Sequence, residues 1–263
     1  MKLFISIFVY LFTIQAHAVG LSAFRANNES FEDARHRALL EKQLKTGDFT
    51  YSLFYNRRFS AEGQKMPVDQ LNVTSVPQIE ADVLNKLFIY LRDSKFLKSK
   101  SQERRATWLY PDDGCYARAG IMSLNTEAIT PVAPSKIFVF GDLNVKTPNT
   151  MSGWVTWWYH VAIAYNVNGE QYVIDPAIEP TRPLLMLEWL RAMNQDVSKL
   201  RVSLCHKDTY DPDSSCDRPR PFEPTDIYRE QNMFLPLEWD RLLDLGRDPE
   251  VELGELPPWK AAL

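Results

Sequence analysis

Cysteine and histidine are scarce in this chain, with three and four in 263 residues. They form no CxxC or HxxxH spacing, so nothing in the sequence supports a zinc framework. Positive charge is not in excess either: 30 Lys and Arg stand against 34 Asp and Glu, a net charge of -4. That excludes the basic domain that phosphate neutralisation demands, and with it nucleic acid as a partner. The 45% hydrophobic and 24% charged residues show none of the skew of a disordered, collagenous or coiled-coil chain. No internal repeat and no low-complexity tract is present. After the N-terminal residues no apolar run is long enough to cross a bilayer. What is there is a globular composition, long enough for one large domain or two small ones.

The N-terminus reads as a secretory signal peptide over residues 1–18. Met1 and Lys2 make a short positive start, and Leu3 to Ile14 is apolar apart from Ser6 and Thr13. Ala16-His17-Ala18 then offers small residues at the two positions a signal peptidase reads. The run is shorter than the ~20 residues of a membrane span. The expected destination is secreted or periplasmic, a compartment where disulfides persist, with no membrane association once the signal is removed.

Three zones follow. Residues 19–76 carry a predicted helix from Glu32 to Lys45 and β-prone pieces such as Phe49 to Phe54, but no residue constellation with assignable chemistry. Residues 77–263 open with Val83, Leu84, Leu87, Phe88 and Leu91 at helical spacing, which predicts an amphipathic helix from Ile79 to Phe96. Lys98 to Arg105 reads as a solvated loop, Lys136 to Phe140 as a strand and Leu184 to Met193 as a helix. From Arg201 onwards Pro, Asp and aromatic residues dominate, which predicts loops wrapped round the core and one helix near Trp239 to Leu245.

An odd cysteine count in an exported chain isolates one thiol. Cys205 and Cys216 flank a short Pro- and Asp-rich loop, a natural span for a disulfide. Cys115 is left over. It follows the turn sequence Pro111-Asp112-Asp113-Gly114 and opens a stretch that reads as the first turns of a helix. A thiol at a helix N-terminus is expected to have its pKa lowered toward the reactive thiolate. A buried, inert thiol is the alternative.

A hairpin supplies a base for that thiol. Tyr159 to Tyr165 and Glu170 to Asp175 are strand-like, and Asn168-Gly169 between them is a strong hairpin signal. A two-residue turn makes paired positions sum to 337, with Asp175 the diagonal neighbour of His160 on one face. A four-residue loop sets His160 directly opposite Asp175, whereas a three-residue loop breaks the register. His36 and His206 read as surface residues. Cys115, His160 and Asp175 then compose a nucleophile, an acid–base and an orienting carboxylate. A structural His and a metal site are the competing readings.

Four motifs in order carry a family resemblance: Gly114-Cys115-Tyr116-Ala117-Arg118-Ala119, Phe138-Val139-Phe140-Gly141-Asp142-Leu143, Trp157-Trp158-Tyr159-His160-Val161-Ala162-Ile163 and Ile174-Asp175-Pro176. In order and spacing they resemble the bacterial protein-glutaminases, secreted deamidases of protein-bound glutamine. The resemblance implies an α+β fold with a transglutaminase-like, papain-related core: a nucleophile Cys at a helix N-terminus packed against an antiparallel sheet carrying His and Asp. It implies Cys115, His160 and Asp175 as the catalytic set, no cofactor, no metal, and protein or peptide substrates bearing exposed glutamine. Trp157 and Tyr159, within the aromatic cluster Trp154, Trp157, Trp158 and Tyr159, are candidates for a substrate-binding cleft wall, with buried core the other reading. The family has a basic His-Lys pair where this chain has Gly120-Ile121, and more cysteines. Its members are made with a pro-segment that occupies the cleft, and residues 19–76 are either a shortened version of it or an N-terminal subdomain. A cysteine protease, a transglutaminase and a catalytically inactive exported binding module are the alternative functions.

Overall fold

The computed structural model describes residues 20–47, 58–98, 103–221, 223–254 and 257–259. The signal peptide and the β-prone piece Phe49 to Phe54 lie outside the described residues. Helix α1 (Phe31–Thr46) starts where Ser30 caps the Asp33 N–H and ends at Gly47, whose φ of 67° suits a residue without Cβ. Strand β1 (Met66–Pro67) follows. Helix α2 (Ala81–Asp93) buries Leu84, Leu87, Phe88 and Leu91, the stripe predicted from their spacing. It is shorter at both ends than predicted, because the Ile79 N–H bonds to Asn166 O and Ser94 is extended.

The basic stretch read as a solvated loop is instead partly buried. Strands β2 (Leu97–Lys98) and β3 (Glu103–Arg104) pair antiparallel, and Arg104 and Arg105 are buried. Arg104 is paid back for its lost water by Glu238, 3.0 Å away. No local pattern in the sequence reveals that distant carboxylate.

Helix α3 (Cys115–Asn125) precedes the long strands β4 (Ser135–Lys146) and β5 (Trp154–Val167), then β6 (Glu170–Ile174) and β7 (Leu184–Leu185). Helix α4 (Met186–Met193), strand β8 (Arg201–Cys205), and helices α5 (Pro224–Asp244) and α6 (Pro249–Glu252) complete the chain. The main sheet runs β1-β8-β4-β5-β6-β7, antiparallel throughout. Its central strand β5 is buried almost end to end, which explains why its Trp, Tyr, Val and Ile residues run on without alternating with polar ones. Helix α3 packs on β5 on one side and α5 on the other.

The C-terminal zone departs most from the sequence reading. In place of loops with one short helix, β8 lies in the sheet and α5 runs for 21 residues from Pro224, with Pro236 inside it. Proline in a helix interior removes a hydrogen bond and argues locally for a break. Here the burial of Ile227, Gln231, Phe234, Leu235, Glu238 and Leu242 against the body holds the helix together regardless. The predicted disulfide between Cys205 and Cys216 is present, and Cys115 is the free cysteine. The fold is thus the expected α+β arrangement, a cysteine-led helix against an antiparallel sheet.

Candidate active site

The hairpin takes the first of the two even registers. Pairs run from Ile163 with Ile174 to Val167 with Glu170, closing on Asn168 and Gly169. Both turn residues have positive φ, 53° and 92°, the mirror-image turn that matches strand twist. His160 and Asp175 consequently share a face, and His160 Nε2 lies 2.7 Å from Asp175 Oδ2. Asp175 directly follows β6. Its carboxylate collects further donors: Trp189 Nε1 at 2.8 Å on the same Oδ2, and the Ala177 N–H at 3.3 Å on Oδ1. Burial pushes the Asp175 carboxyl up, but the His160 charge and hydrogen bond, the Trp189 N–H and the Arg118 charge outweigh it and hold it below the usual range.

The imidazole is fixed on its faces as well. Trp157 stacks on it with ring centroids 4.4 Å apart and planes 8° apart, and Trp189 lies 5.8 Å away at 36°. Trp157 is in turn held through its indole N–H by Pro111 O at 2.9 Å. His160 Nδ1 is buried without a hydrogen-bond partner.

Cys115 opens α3 after Gly114, whose φ of 81° turns the chain into the helix. Arg118, one turn on, donates to Tyr110 O at 3.1 Å and Asp113 O at 2.7 Å, so the turn and the helix start are tied together. The Cys115 thiol interacts with the Tyr159 hydroxyl and the backbone of Val161, the residues on either side of His160. The expectation of a lowered thiol pKa is overturned: Cys115 is buried, and burial pushes its thiol up to about 12. Asp113 adds to the rise, while the Arg118 charge opposes it. Removal from water costs the thiolate more than the helix N-terminus returns.

An N-terminal segment runs along β5 past Tyr159, next to His160. Phe24 bridges to Trp157 on the edge of β5 that β6 leaves open. The Trp158 N–H donates to Ala23 O at 3.1 Å, and the Arg25 N–H to Thr156 O at 2.9 Å. Side chains take the remaining groups: Trp158 Nε1 donates to Ser22 O at 2.8 Å, the Tyr159 hydroxyl donates to Leu21 O, and the Ala23 N–H donates to Asp113 Oδ1 at 3.1 Å. The Gly20 N–H donates to Glu230 Oε2 at 3.2 Å. Beside Asp175 the free space is only about 10 Å³, no more than one water needs. A cavity of about 930 Å³ lies elsewhere, lined by Val68, Leu71, Met186 and Arg201 among others, and none of Cys115, His160 and Asp175 borders it.

Among the other expected residues, His36 and His206 are exposed as predicted. Trp157 and Tyr159 are buried, one against His160 and the other under Leu21, and Trp154 is exposed. Sequence reasoning missed Trp189, Asp113 and Glu230. Trp189 shows locally only as an apolar position of α4, and its bond to Asp175 exists through tertiary packing alone.

Residues 84–193 match the model of a family described as glutaminase, a stretch that includes Cys115, His160 and Asp175. No curated protein matches the chain. Three solved structures resemble it. A mutant of pro-protein-glutaminase is 23% identical, with 62% of this chain and 61% of that chain covered and a TM-score of 0.47. A crystal structure of protein-glutaminase is 24% identical over 60% and 88%, with a TM-score of 0.47. The NMR structure of protein-glutaminase from Chryseobacterium proteolyticum is 25% identical over 61% and 89%, with a TM-score of 0.49. The chain thus spans 61% of the length of the first of these.

Proposed function

We propose that the chain, whose residues 84–193 match the glutaminase family model, is an exported protein-glutamine deamidase. The observation that carries the reading is the hydrogen-bonded His160–Asp175 pair, with a free cysteine at a helix N-terminus in the same matched stretch. Cys115 attacks the side-chain carboxamide carbon of a protein-bound glutamine as its proton passes to His160. Free N–H groups at the start of α3 hold the oxyanion. The imidazolium protonates the departing ammonia, leaving a thioester on Cys115. Water, deprotonated by His160, then hydrolyses the thioester to glutamate and free thiol. Asp175 keeps the imidazole oriented and stabilises its charged form.

Residues 20–47 act as a removable cover on this site, while residues 58–76 stay with the body. The hydrogen bonds of Leu21 to Arg25 along β5, beside a thiol that burial keeps protonated, support the first part. The pairing of β1 with β8 supports the second. A cut between residues 47 and 58 releases the cover and rehydrates Cys115. The disulfide supports an oxidising destination, secreted or periplasmic.

The test is ammonia release from a glutamine-rich protein by the full chain, before and after limited proteolysis, with mass spectrometry locating amide-to-acid changes. Wild type should release ammonia without cutting the substrate chain, and Cys115→Ser should not. New substrate termini assign a protease, and crosslinks to added lysine donors assign a transglutaminase. Equal ammonia from wild type and Cys115→Ser in both forms of the chain rejects the deamidase.

A further inference from the structure

We propose that Trp189 is a positioning residue for the catalytic pair, its indole N–H aiming the Asp175 carboxylate so that His160 carries its proton on Nε2 and keeps Nδ1 bare. This rests on the reading of Cys115, His160 and Asp175 given above. Three observations support it. First, Trp189 and His160 reach the same oxygen: Asp175 Oδ2 is 2.8 Å from the indole nitrogen and 2.7 Å from His160 Nε2. Two donors converging on one oxygen define the carboxylate plane far better than either alone. The remaining contact, the Ala177 N–H on Oδ1, is longer at 3.3 Å.

Second, the arrangement answers a need on both sides. A buried indole N–H requires an acceptor, and a buried carboxylate requires donors that favour its charged form. Trp189 is 0% exposed, so without Asp175 its N–H loses water for nothing in return. Third, the two groups come from different elements. Asp175 lies just past the end of β6, outside the ladder, so sheet hydrogen bonds do not fix its side chain. Trp189 sits on α4, which packs on β4, β6 and β7, so its indole reaches Asp175 from outside the hairpin. With Trp157 stacked on the imidazole, ring plane and carboxylate direction are both set before any substrate arrives.

A packing role alone predicts something different, and the difference is measurable. Ring 15N shifts of His160 in the full chain, labelled at histidine, report which nitrogen is protonated. Wild type should show the Nε2–H tautomer. Trp189→Phe keeps an aromatic ring and removes the donor, and should give a mixture of the two tautomers. In ammonia release by the same variant, kcat should fall with KM unchanged. If Trp189→Phe does not fold by circular dichroism, β-(3-benzothienyl)alanine incorporated at position 189 replaces the N–H by sulfur at constant shape and carries the test. Variants that keep the wild-type tautomer reduce Trp189 to a core residue and overturn the proposal while leaving the deamidase reading intact. A wild-type chain protonated on Nδ1 rejects the nucleophile–base reading itself, and the role of Trp189 with it.

Discussion

Cys115 and Asp175 occupy environments that push in opposite senses. The carboxyl of Asp175 is buried yet held below its usual range by the donors around it, whereas the thiol of Cys115 has too few such groups and burial prevails. Replacing Asp175 by Asn keeps an acceptor oxygen but removes the charge that stabilises the imidazolium, and under the proposed mechanism kcat should fall by roughly 10²–10⁴ in an ammonia-release assay, the usual worth of a positioned acid–base. Glu230, which holds the Gly20 N–H, is raised by burial from 4.5 to about 7. Between those values the folded chain keeps a proton that the unfolded chain gives up, so this group's stabilising contribution is complete below 4.5 and is lost as pH rises through about 7. Glu230→Gln should flatten that part of the stability curve, read as thermal midpoints across the same range. The proposed set Cys115, His160 and Asp175 could be singled out in the sequence because cysteine and histidine are few and motif spacing is local. Asp113, Glu230 and Trp189 could not, because their partners, Ala23, Gly20 and Asp175, are set by packing between separate elements.

Turns decide where the elements put their side chains. Gly114 brings the chain into α3 at a φ of 81°, and a Cβ there would come within 2.9 Å of the Phe234 ring. Gly114→Ala should therefore cost about 1–2 kcal/mol in denaturant unfolding from the left-handed backbone alone, and more once Phe234 is displaced. The hairpin carrying His160 and Asp175 was legible as a hairpin, since Asn168-Gly169 is a local turn signal and either even loop puts the two on one face, but only the structure chose between the two even registers. Helix α5 was not legible, because Pro236 is a local argument against a helix and only burial against the body overrules it. The same holds for Arg104 and Arg105, whose charge reads as solvated until Glu238 is brought beside them.

At the scale of the molecule, two devices tie the N-terminal residues to the rest. One is the strip from Gly20 to Arg25 along β5. A Cβ on Gly20 would run into the Tyr116 ring, so Gly20→Val should loosen the strip and speed iodoacetamide labelling of Cys115 in the full chain, followed by mass spectrometry. Labelling no faster than wild type would mean that the strip does not limit access. The other is the loop closed by Cys205 and Cys216. Its Asp211 and Asp213 hold Lys42 of α1 at 2.7 and 2.9 Å, and its backbone bonds to Ala61 and Glu62. Cys205→Ala with Cys216→Ala should lower stability by about 2–3 kcal/mol on chemical unfolding, as expected for a closed loop this short.

The sequence by itself determined the class of fold, the one unpaired thiol, and the face shared by His160 and Asp175, all consequences of composition, cysteine parity and strand periodicity. Tertiary structure decided whether that thiol is exposed, which groups orient its partners and where the N-terminal residues lie. Those properties depend on water exclusion and on contacts between residues far apart in the chain, and neither is written in any local window.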